Sequence, residues 1–417
     1  MRLAKAFPAA VWLALAAAWL FRIWLALVNP EHTLGKPFLS EYHTLGLHLA
    51  RDGFLGFDWT GPSAFRLPLY PILVAGALLL SPDVHARVPI HFLNIVLSSL
   101  TILLTYRLAL RFSGERRAVL ACWLTALNPA LGQLDLMEGP EPLYATLLVL
   151  TAWALVGLWE RPDRAGRWGA SGLLIGLSLL CRSTMLAFPF LLIAAAPWLL
   201  PRSLSWKKAL LLVGCSFVVL TPWVSRNWAR FGRIILFEDG MGWHSLYQST
   251  TGVRGIQPDE DLPEPFRTYF LTKDPRVGPV SKEAALRSIR ERPLRYAGYC
   301  VGRLRYLWLR SGWAERTFRL GDGFHEYRRR GQWLRAGTKA LFKILELAFV
   351  AAAAWGMLLS WRTGAAQPLV LMVLYMNIHV LTIGDPRYTM PVLPLLAVFA
   401  AWGMSEAARL ARGEARA

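Results

Sequence analysis

The sequence predicts an all-α protein that crosses a membrane many times. Three observations support this fold class: 55% of the 417 residues are hydrophobic, apolar stretches recur along most of the chain, and basic residues cluster in short connections. A helix needs roughly 20 mostly apolar residues to cross a bilayer, and a helix satisfies its own backbone hydrogen bonds there. The composition excludes a soluble globular protein and a disordered basic tail.

About ten stretches have the length and composition of membrane spans. The first is too long for the apolar core of a signal peptide, so we interpret it as a retained helix. In chain order the predicted spans are residues 8–28, 88–111, 117–134, 141–159, 169–183, 184–200, 208–226, 338–361, 367–384 and 388–408.

Basic residues in the short connections predict the orientation of the spans. The chain start with Lys5 and the turns around Arg111, Arg164 and Lys207 all fall on one side if both termini are cytoplasmic, as does Arg412 near the end. Short cytoplasmic loops carry an excess of Lys and Arg in membrane proteins. We therefore expect both termini in the cytoplasm and the longer loops on the outer face.

The stretch "PLYPILVAGALLLS", residues 68–81, is too short for a span. Counting it as a crossing would also place the basic turn after the next span outside, against the charge rule. We expect a juxtamembrane helix at the end of a first outer loop, residues 29–89. A second and larger outer loop covers residues 227–337.

These loops divide the chain into three predicted parts. Residues 1–226 form an N-terminal transmembrane module, residues 227–337 form a large basic outer loop, and residues 338–417 form the last spans with a short tail. The loop segment "LRSIRERPLRYAGYCVGRLRYLWLR" interleaves Arg with aromatic and apolar residues. Such a pattern is typical of a helix that lies in the lipid headgroup layer.

The net charge of +19 is better explained by membrane anchoring or an anionic membrane substrate than by nucleic acid. The four cysteines show no spacing typical of a disulfide framework or zinc site. The chain also lacks a Walker A loop, a dinucleotide glycine fingerprint, a His-Glu-x-x-His motif and a nucleophile elbow. Candidate chemistry is therefore sought among polar residues at the outer ends of the spans.

Three acidic residues lie at predicted outer positions. Glu41 begins the helix-like stretch "SEYHTLGLHLA", where Ser40 is a suitable N-cap, and Glu138 and Glu141 flank a Gly-Pro turn. A carboxylate beside an outer cavity can act as a general base for an acceptor. An exposed acid near a helix start is also simply favoured by the helix dipole, so spacing alone leaves both interpretations open.

Four arginines, Arg66, Arg182, Arg226 and Arg387, lie at the outer ends of membrane segments. Planar guanidinium groups that converge from different helices suit a phosphate or pyrophosphate. A single arginine at this depth would more simply extend towards the lipid headgroups. Because there are four such positions, we expect an anionic substrate.

The order of several motifs resembles the membrane glycosyltransferases of the GT-C fold. The motifs are "EYHTLGLHLARDG", "GPSAFRLPLYP", "RLALRFSGERRA", "EPLYATLLVL", "TPWVSRNWARFG" and "DPRYTMPVLP". More narrowly, the chain resembles bacterial members of glycosyltransferase family 39, which includes protein O-mannosyltransferases and the lipid A aminoarabinose transferase. The resemblance rests on the order of these motifs over nearly the whole chain.

The resemblance implies an inverting enzyme with a polyprenyl-phosphate-linked sugar as donor and a lipid, glycan or protein as acceptor. It implies that Glu41 is the catalytic acidic residue of the first loop, which acts as a base or positions the acceptor. It further implies substrate-binding roles for the motif residues Tyr42, Arg66, Tyr70, Glu138, Glu141, Arg182, Arg226, Asn227, Arg387 and Tyr388.

The chain departs from the family pattern at one position. Many relatives carry an Asp four residues before the motif tyrosine, Tyr42, and Phe38 occupies that position here. Glu41 lies three residues after Phe38, and helical positions three apart share a face, so Glu41 can reach the same cavity. It can equally be a secondary residue in a chain that does not need the usual base.

The resemblance further implies a bacterial inner membrane location with a periplasmic active site and no resident metal. The partners expected are the donor, its acceptor and membrane lipids, and no nucleic acid. Two alternatives remain open at this point. One is an O-antigen ligase or polymerase that uses pyrophosphate-linked oligosaccharides, and the other is a non-catalytic glycolipid flippase or binding protein.

Overall fold

The chain is almost entirely helical in a computed structural model. The structure describes residues 6–28, 40–81, 87–111, 113–199, 205–252, 262–309, 315 and 317–414. Phe38 lies outside the described residues. The N-terminal half contains α1 (Ala9–Val28), α2 (Glu41–Asp52), β1 (Gly56–Phe57), β2 (Gly61–Pro62), α3 (Leu69–Leu79), α4 (Val88–Leu110), α5 (Glu115–Ala126), α6 (Pro129–Asp135), α7 (Glu141–Glu160), α8 (Ala165–Cys181), α9 (Phe188–Leu199), α10 (Trp206–Val218) and α11 (Thr221–Phe231).

The second half begins with short helices of the predicted outer loop and ends in long apolar helices. Its α-helices are α12 (Met241–Thr250), α13 (Phe266–Leu271), α14 (Val277–Glu291), α15 (Pro293–Leu309), α16 (Phe324–Arg329), α17 (Trp333–Ser360), α18 (Gln367–Tyr375) and α19 (Leu393–Ala411). Single 3₁₀ turns connect some of them, including Ser183–Ala187, Met376–Leu381 and Pro386–Tyr388. The all-α prediction is therefore confirmed.

Five helical stretches in the described part of the chain are long and apolar enough to cross a membrane, or six if one bent pair counts as a span. They include α1, α4 and α7, and the chain is a multi-pass membrane protein. The exact number of crossings, about ten in the sequence-based prediction, stays a prediction. The predicted juxtamembrane helix is α3, which has 11 residues and is shorter than a span.

Several predicted spans are interrupted by local backbone chemistry. The predicted span 117–134 divides into α5 and α6, because the Asn128 side chain accepts hydrogen bonds from Ala130 N and Leu131 N and caps a new helix. Pro129 then occupies the first turn of α6, where a missing N–H costs nothing. Likewise, α10 and α11 are bent by 47° near Pro222, inside the predicted span 208–226.

Small residues let α8 and α10 approach closely. A Cβ on Gly172 or Gly176 of α8 would collide with the backbone carbonyls of Leu212 or Ser216 on α10. Glycines four residues apart form the small-residue surface that membrane helices use for close packing. The contact fixes the end of α8, which carries a candidate site residue.

The two predicted outer loops pack against each other in one apolar cluster. Leu45 of α2, Phe57 of β1 and Phe65 are buried together with Trp223 of α11 and Val277 of α14. The hydrophobic effect drives this association, and it does not depend on the direction of individual contacts. The first loop is therefore held against the segment that follows α11, over one end of the membrane helices.

A buried ion pair joins α1, α5 and α6 within the helical bundle. The Arg22 side chain is 1% exposed and its Nε lies 2.5 Å from Asp135 Oδ2. Its other nitrogens donate to Ala18 O, Ala126 O and Ser98 Oγ. Every guanidinium nitrogen therefore has an acceptor, which is the condition for tolerating a charge at this depth.

We expect Arg22→Met to lower the stability of the protein by about 3–5 kcal/mol, because Asp135 would stay buried without its cation. The measurement is thermal unfolding in detergent followed by tryptophan fluorescence. Lys207→Met, at an exposed position, is the control. The double variant Arg22→Met with Asp135→Leu should recover most of the loss. Equal losses in the single and double variants would contradict the pairing.

Candidate active site

A cavity of about 1330 Å³ lies where the first outer loop meets the ends of the membrane helices. It is bounded by the start of α2, the connection before α7, the end of α8, α12 and the turns before α19. The structure brings together most of the sequence-predicted site residues on its wall, namely Glu41, Tyr42, Arg66, Glu138, Glu141, Arg182, Arg387 and Tyr388.

Glu41 occupies the first position of α2, with Ser40 as the N-cap. Its two carboxylate oxygens contact different cations: Oε2 accepts from Arg66 Nε at 2.7 Å, and Oε1 accepts from Lys273 Nζ. Burial alone would raise the pKa of Glu41, but the charges and hydrogen bonds of Arg66 and Lys273 outweigh it and lower the pKa to about 2. Glu41 is therefore an ionised and weakly basic carboxylate.

Glu141 binds two arginines from distant parts of the chain. Its side chain is 2% exposed, and Oε1 accepts from an Arg182 terminal nitrogen and lies 3.3 Å from Arg387 Nε. The central guanidinium carbon of Arg182 lies 5.0 Å from the centre of the Tyr388 ring. Two guanidinium groups thus share one carboxylate, which leaves a net positive charge on this wall of the cavity.

Two N–H groups of this cluster have no hydrogen-bond partner within the part of the chain that the structure describes. They are Arg182 Nε and Arg387 Nε, both fully buried atoms. Buried donors are normally paired, and an unpaired one costs about 1–3 kcal/mol. Glu141 alone therefore does not satisfy all the donors of the two guanidinium groups, although Arg387 Nε lies 3.3 Å from its Oε1.

Tyr42 and Tyr70 form an aromatic layer beneath Arg66. Their rings meet edge to face at 5.5 Å, and the Arg66 guanidinium lies 5.8 Å from the Tyr42 ring. Tyr70 does not line the cavity, since it is buried and donates its hydroxyl proton to Asn94 Oδ1 at 3.1 Å. Tyr70 supports the site from below.

Glu138 is held by the start of α2 and by Arg87. Its oxygens contact Ser40 N at 3.2 Å, His43 Nδ1 at 3.4 Å and Arg87 Nε at 3.3 Å. Burial raises the pKa of Glu138, but hydrogen bonds from His43 and Ser40 and the neighbouring charges lower it to about 2 overall. The residue ties the connection before α7 to the first outer loop.

Arg226 and Asn227 lie away from this cavity. Arg226 donates to Ser63 O at 3.0 Å and Leu55 O at 2.8 Å, which fastens α11 to the hairpin of the first loop. Asn227 Nδ2 donates to Ile235 O at 3.0 Å. Their predicted substrate contacts stay predictions, while the structure places both where they organise the loops.

Among the polar residues of the site that sequence reasoning missed, four carry charge or an imidazole ring and lie in the second outer loop. Lys273 pairs with Glu41, and Arg319, Glu238 and His244 line the cavity. Lys273 and Arg319 have positive φ angles of 58° and 55°, and non-glycine residues in this region often lie at functional sites. All four belong to the second outer loop, whose approach to the first loop has no signal in the sequence spacing.

The cavity wall is rich in positively charged side chains. Among the described residues, no group of three or more His, Cys, Asp or Glu side chains lies close enough to hold a metal. Instead, the cavity wall combines guanidinium groups with aromatic rings and carboxylates. Guanidinium groups match phosphate oxygens in geometry and charge.

A family model and a solved structure both match this chain. Residues 66–225 match the family model for dolichyl-phosphate-mannose-protein mannosyltransferase. The solved oligosaccharyltransferase of Archaeoglobus fulgidus, in complex with zinc and sulfate, superposes with a TM-score of 0.54 at 14% identity, over 95% of this chain and 50% of that chain. The protein therefore has the GT-C fold of membrane glycosyltransferases, as the resemblance implied.

Two curated enzymes are similar to this chain in sequence. The undecaprenyl phosphate-alpha-4-amino-4-deoxy-L-arabinose arabinosyl transferase of Pseudomonas aeruginosa PAO1 is 28% identical over 214 residues, which are 48% of this chain and 38% of the relative. The same enzyme of strain LESB58 matches equally well. The aligned region thus covers well under half of these relatives' length. The predicted resemblance to this group of transferases is confirmed.

Glu41 should couple the stability of the site to pH. Because its pKa falls from 4.5 to about 2 on folding, the folded state binds fewer protons, and the stabilisation present above pH 4.5 is lost as pH falls towards 2. Glu41→Gln should therefore have a lower melting temperature at pH 7 and a shallower decline in acid.

The measurement is thermal unfolding in detergent from pH 7 to pH 3. Glu283→Gln, whose side chain is 73% exposed, is the control and should leave the melting temperature at pH 7 near the wild-type value. Identical acid profiles for Glu41→Gln and the wild type would show that Arg66 and Lys273 do not hold this carboxylate ionised.

Proposed function

We propose that this protein is an integral membrane glycosyltransferase. It transfers a sugar from a polyprenyl-phosphate-linked donor to a lipid, glycan or protein acceptor. The observation that carries the proposal is the pair of arginines, Arg182 and Arg387, that share the single carboxylate of Glu141 at the cavity wall. The family match and the names of the curated relatives support the same donor chemistry.

In the proposed reaction, the guanidinium groups bind the phosphate of the donor, which is also the leaving group. Negative charge grows on that phosphate as its bond to the sugar breaks, and fixed cations in a partly buried site stabilise it without reorganisation. Arg66, Arg182 and Arg387 all face the cavity and supply this charge. The acceptor attacks from the opposite side of the anomeric carbon, which inverts its configuration.

The location proposed for the reaction is the periplasmic face of a bacterial inner membrane, with both termini in the cytoplasm. The short basic connections support this orientation. The cavity lies at one end of the bundle of membrane helices, beside the two long loops. Polyprenyl phosphates are membrane lipids, so a cavity in this position can receive the headgroup while the chain stays in the bilayer.

Arg182→Ala and Arg387→Ala should each lower kcat for sugar release by about 100-fold, because each removes one donor to the departing phosphate. The assay supplies membranes with undecaprenyl phosphate carrying radiolabelled mannose or 4-amino-4-deoxy-L-arabinose and follows the label leaving the lipid. Arg287→Ala is the control, since its side chain is 65% exposed on α14.

Unchanged turnover in both arginine variants would contradict the assignment of the phosphate site. Consumption of pyrophosphate-linked oligosaccharides only would favour a ligase or polymerase. Binding or transbilayer movement of the donor without sugar release would favour a flippase or binding protein.

We also propose that the reaction needs no divalent metal. Guanidinium groups supply the positive charge that a metal would otherwise supply to the phosphate. Treatment with EDTA should leave turnover within about twofold of the untreated membranes, a small change beside the 10²-fold loss expected for a missing cation. Activity that is abolished by EDTA and restored by manganese or magnesium would contradict this proposal.

A further inference from the structure

Four glutamates line the cavity, and three of them are bound by cations. Glu41 contacts Arg66 and Lys273, while Glu141 contacts Arg182 and Arg387. Glu138 is likewise bound by Arg87 and His43. Each of these carboxylates is engaged in holding the site together.

Glu238 differs from the other three glutamates. Its Oε2 accepts one hydrogen bond, from Ser183 Oγ at 3.1 Å, and in the described part of the chain no Lys or Arg forms an ion pair with it, although the charge of Arg66 acts on it from a greater distance. Its second oxygen, Oε1, has no partner among the same residues. Glu238 therefore offers the cavity a carboxylate oxygen that can accept a proton.

The backbone on both sides of Glu238 is fixed. Phe237 O accepts a hydrogen bond from Trp223 Nε1 at 3.3 Å, and Asp239 N donates to Ala64 O at 2.9 Å. These bonds attach the residue to α11 on one side and to the first outer loop on the other. A catalytic carboxylate needs such support, because small displacements reduce the rate strongly.

Glu238 also lies near one of the arginines proposed to bind the donor phosphate. Ser183, which orients its carboxylate, directly follows Arg182 at the end of α8. The carboxylate and the guanidinium groups thus face one cavity from neighbouring positions. A nucleophile beside Glu238 is therefore close to the cations that would bind the donor phosphate.

We propose that Glu238 is the general base of the reaction and that the acceptor nucleophile is a hydroxyl group. This inference rests on the proposed function. The acceptor oxygen forms a bond to the anomeric carbon, the bond from that carbon to the phosphate oxygen breaks, and its electron pair stays on the phosphate. The hydroxyl proton passes to Glu238 and then to solvent.

The roles of the two candidate bases follow from their surroundings. A general base needs a carboxylate oxygen that is free to accept the proton of the acceptor. Both oxygens of Glu41 are bound by cations, so protonation would cost those contacts. Glu41 positions Arg66 and Lys273, and Glu238 takes the proton.

The test compares Glu238→Gln and Glu238→Ala with Asp239→Asn. Asp239 is the adjacent acid, pairs with the exposed Arg233 and does not line the cavity, so it is a matched control. A glutamine at position 238 can still accept the hydrogen bond from Ser183, so the local fold is retained. Assays use the labelled mannose and aminoarabinose donors in membranes, together with binding of undecaprenyl phosphate to the purified protein.

We expect both Glu238 variants to lose about 10²–10⁴-fold in kcat while binding undecaprenyl phosphate as the wild type does. Sodium formate should restore part of the activity of Glu238→Ala, because a small carboxylate can occupy the vacated volume and accept the proton. Asp239→Asn should keep wild-type turnover.

The outcomes separate this inference from the proposed function. If the wild type releases sugar and Glu238→Gln releases it at the same rate, the role of Glu238 is overturned and the proposed function is not. That result would favour an acceptor such as a phosphate, which needs no base. A loss in Glu238→Ala that formate does not relieve would also overturn it. Absence of sugar release by the wild type from both donors would overturn the proposed function, and the role of Glu238 with it.

Discussion

The site depends on one buried carboxylate at the start of α7. Glu141 joins Arg182, at the end of α8, to Arg387, in the turn before α19. Without this anion, two guanidinium groups would repel each other, and an unpaired buried charge costs several kcal/mol. Glu141 thus sets both the distance between the arginines and the charge that remains for a ligand. A single carboxylate shared by two cations leaves one positive charge unbalanced.

A second carboxylate of the cavity is also shared by two cations. Glu41 lies between Arg66 and Lys273, so two cations again share one carboxylate. A donor phosphate that enters this environment would complete two incomplete ion clusters at once. Binding of an anion at such a place needs little rearrangement, because the cations are already held by the protein. The acidic residues along this wall fix the arginines in place.

Much of the fold could be predicted from the sequence, because membrane helices are encoded locally. Apolar length identifies α1, α4 and α7, and the proline and asparagine that divide α5 from α6 are visible in the chain. The site was predicted only in part. Lys273 lies 232 residues from Glu41, and no periodicity or motif connects them. The Arg22 pair with Asp135 was also missed, since it depends on how three helices pack.

Arg226 shows why residue type alone does not define a role in this fold. Its position at the outer end of a predicted span is similar to that of Arg182, yet its hydrogen bonds go to backbone carbonyls of the first loop. Carbonyl groups satisfy a guanidinium without balancing its charge, whereas a carboxylate both fixes and neutralises it. The fixed loop then carries Ala64, which binds the backbone beside Glu238. Arg226 thus fastens the loop that supports the backbone beside Glu238, and its predicted contact with the substrate stays a prediction.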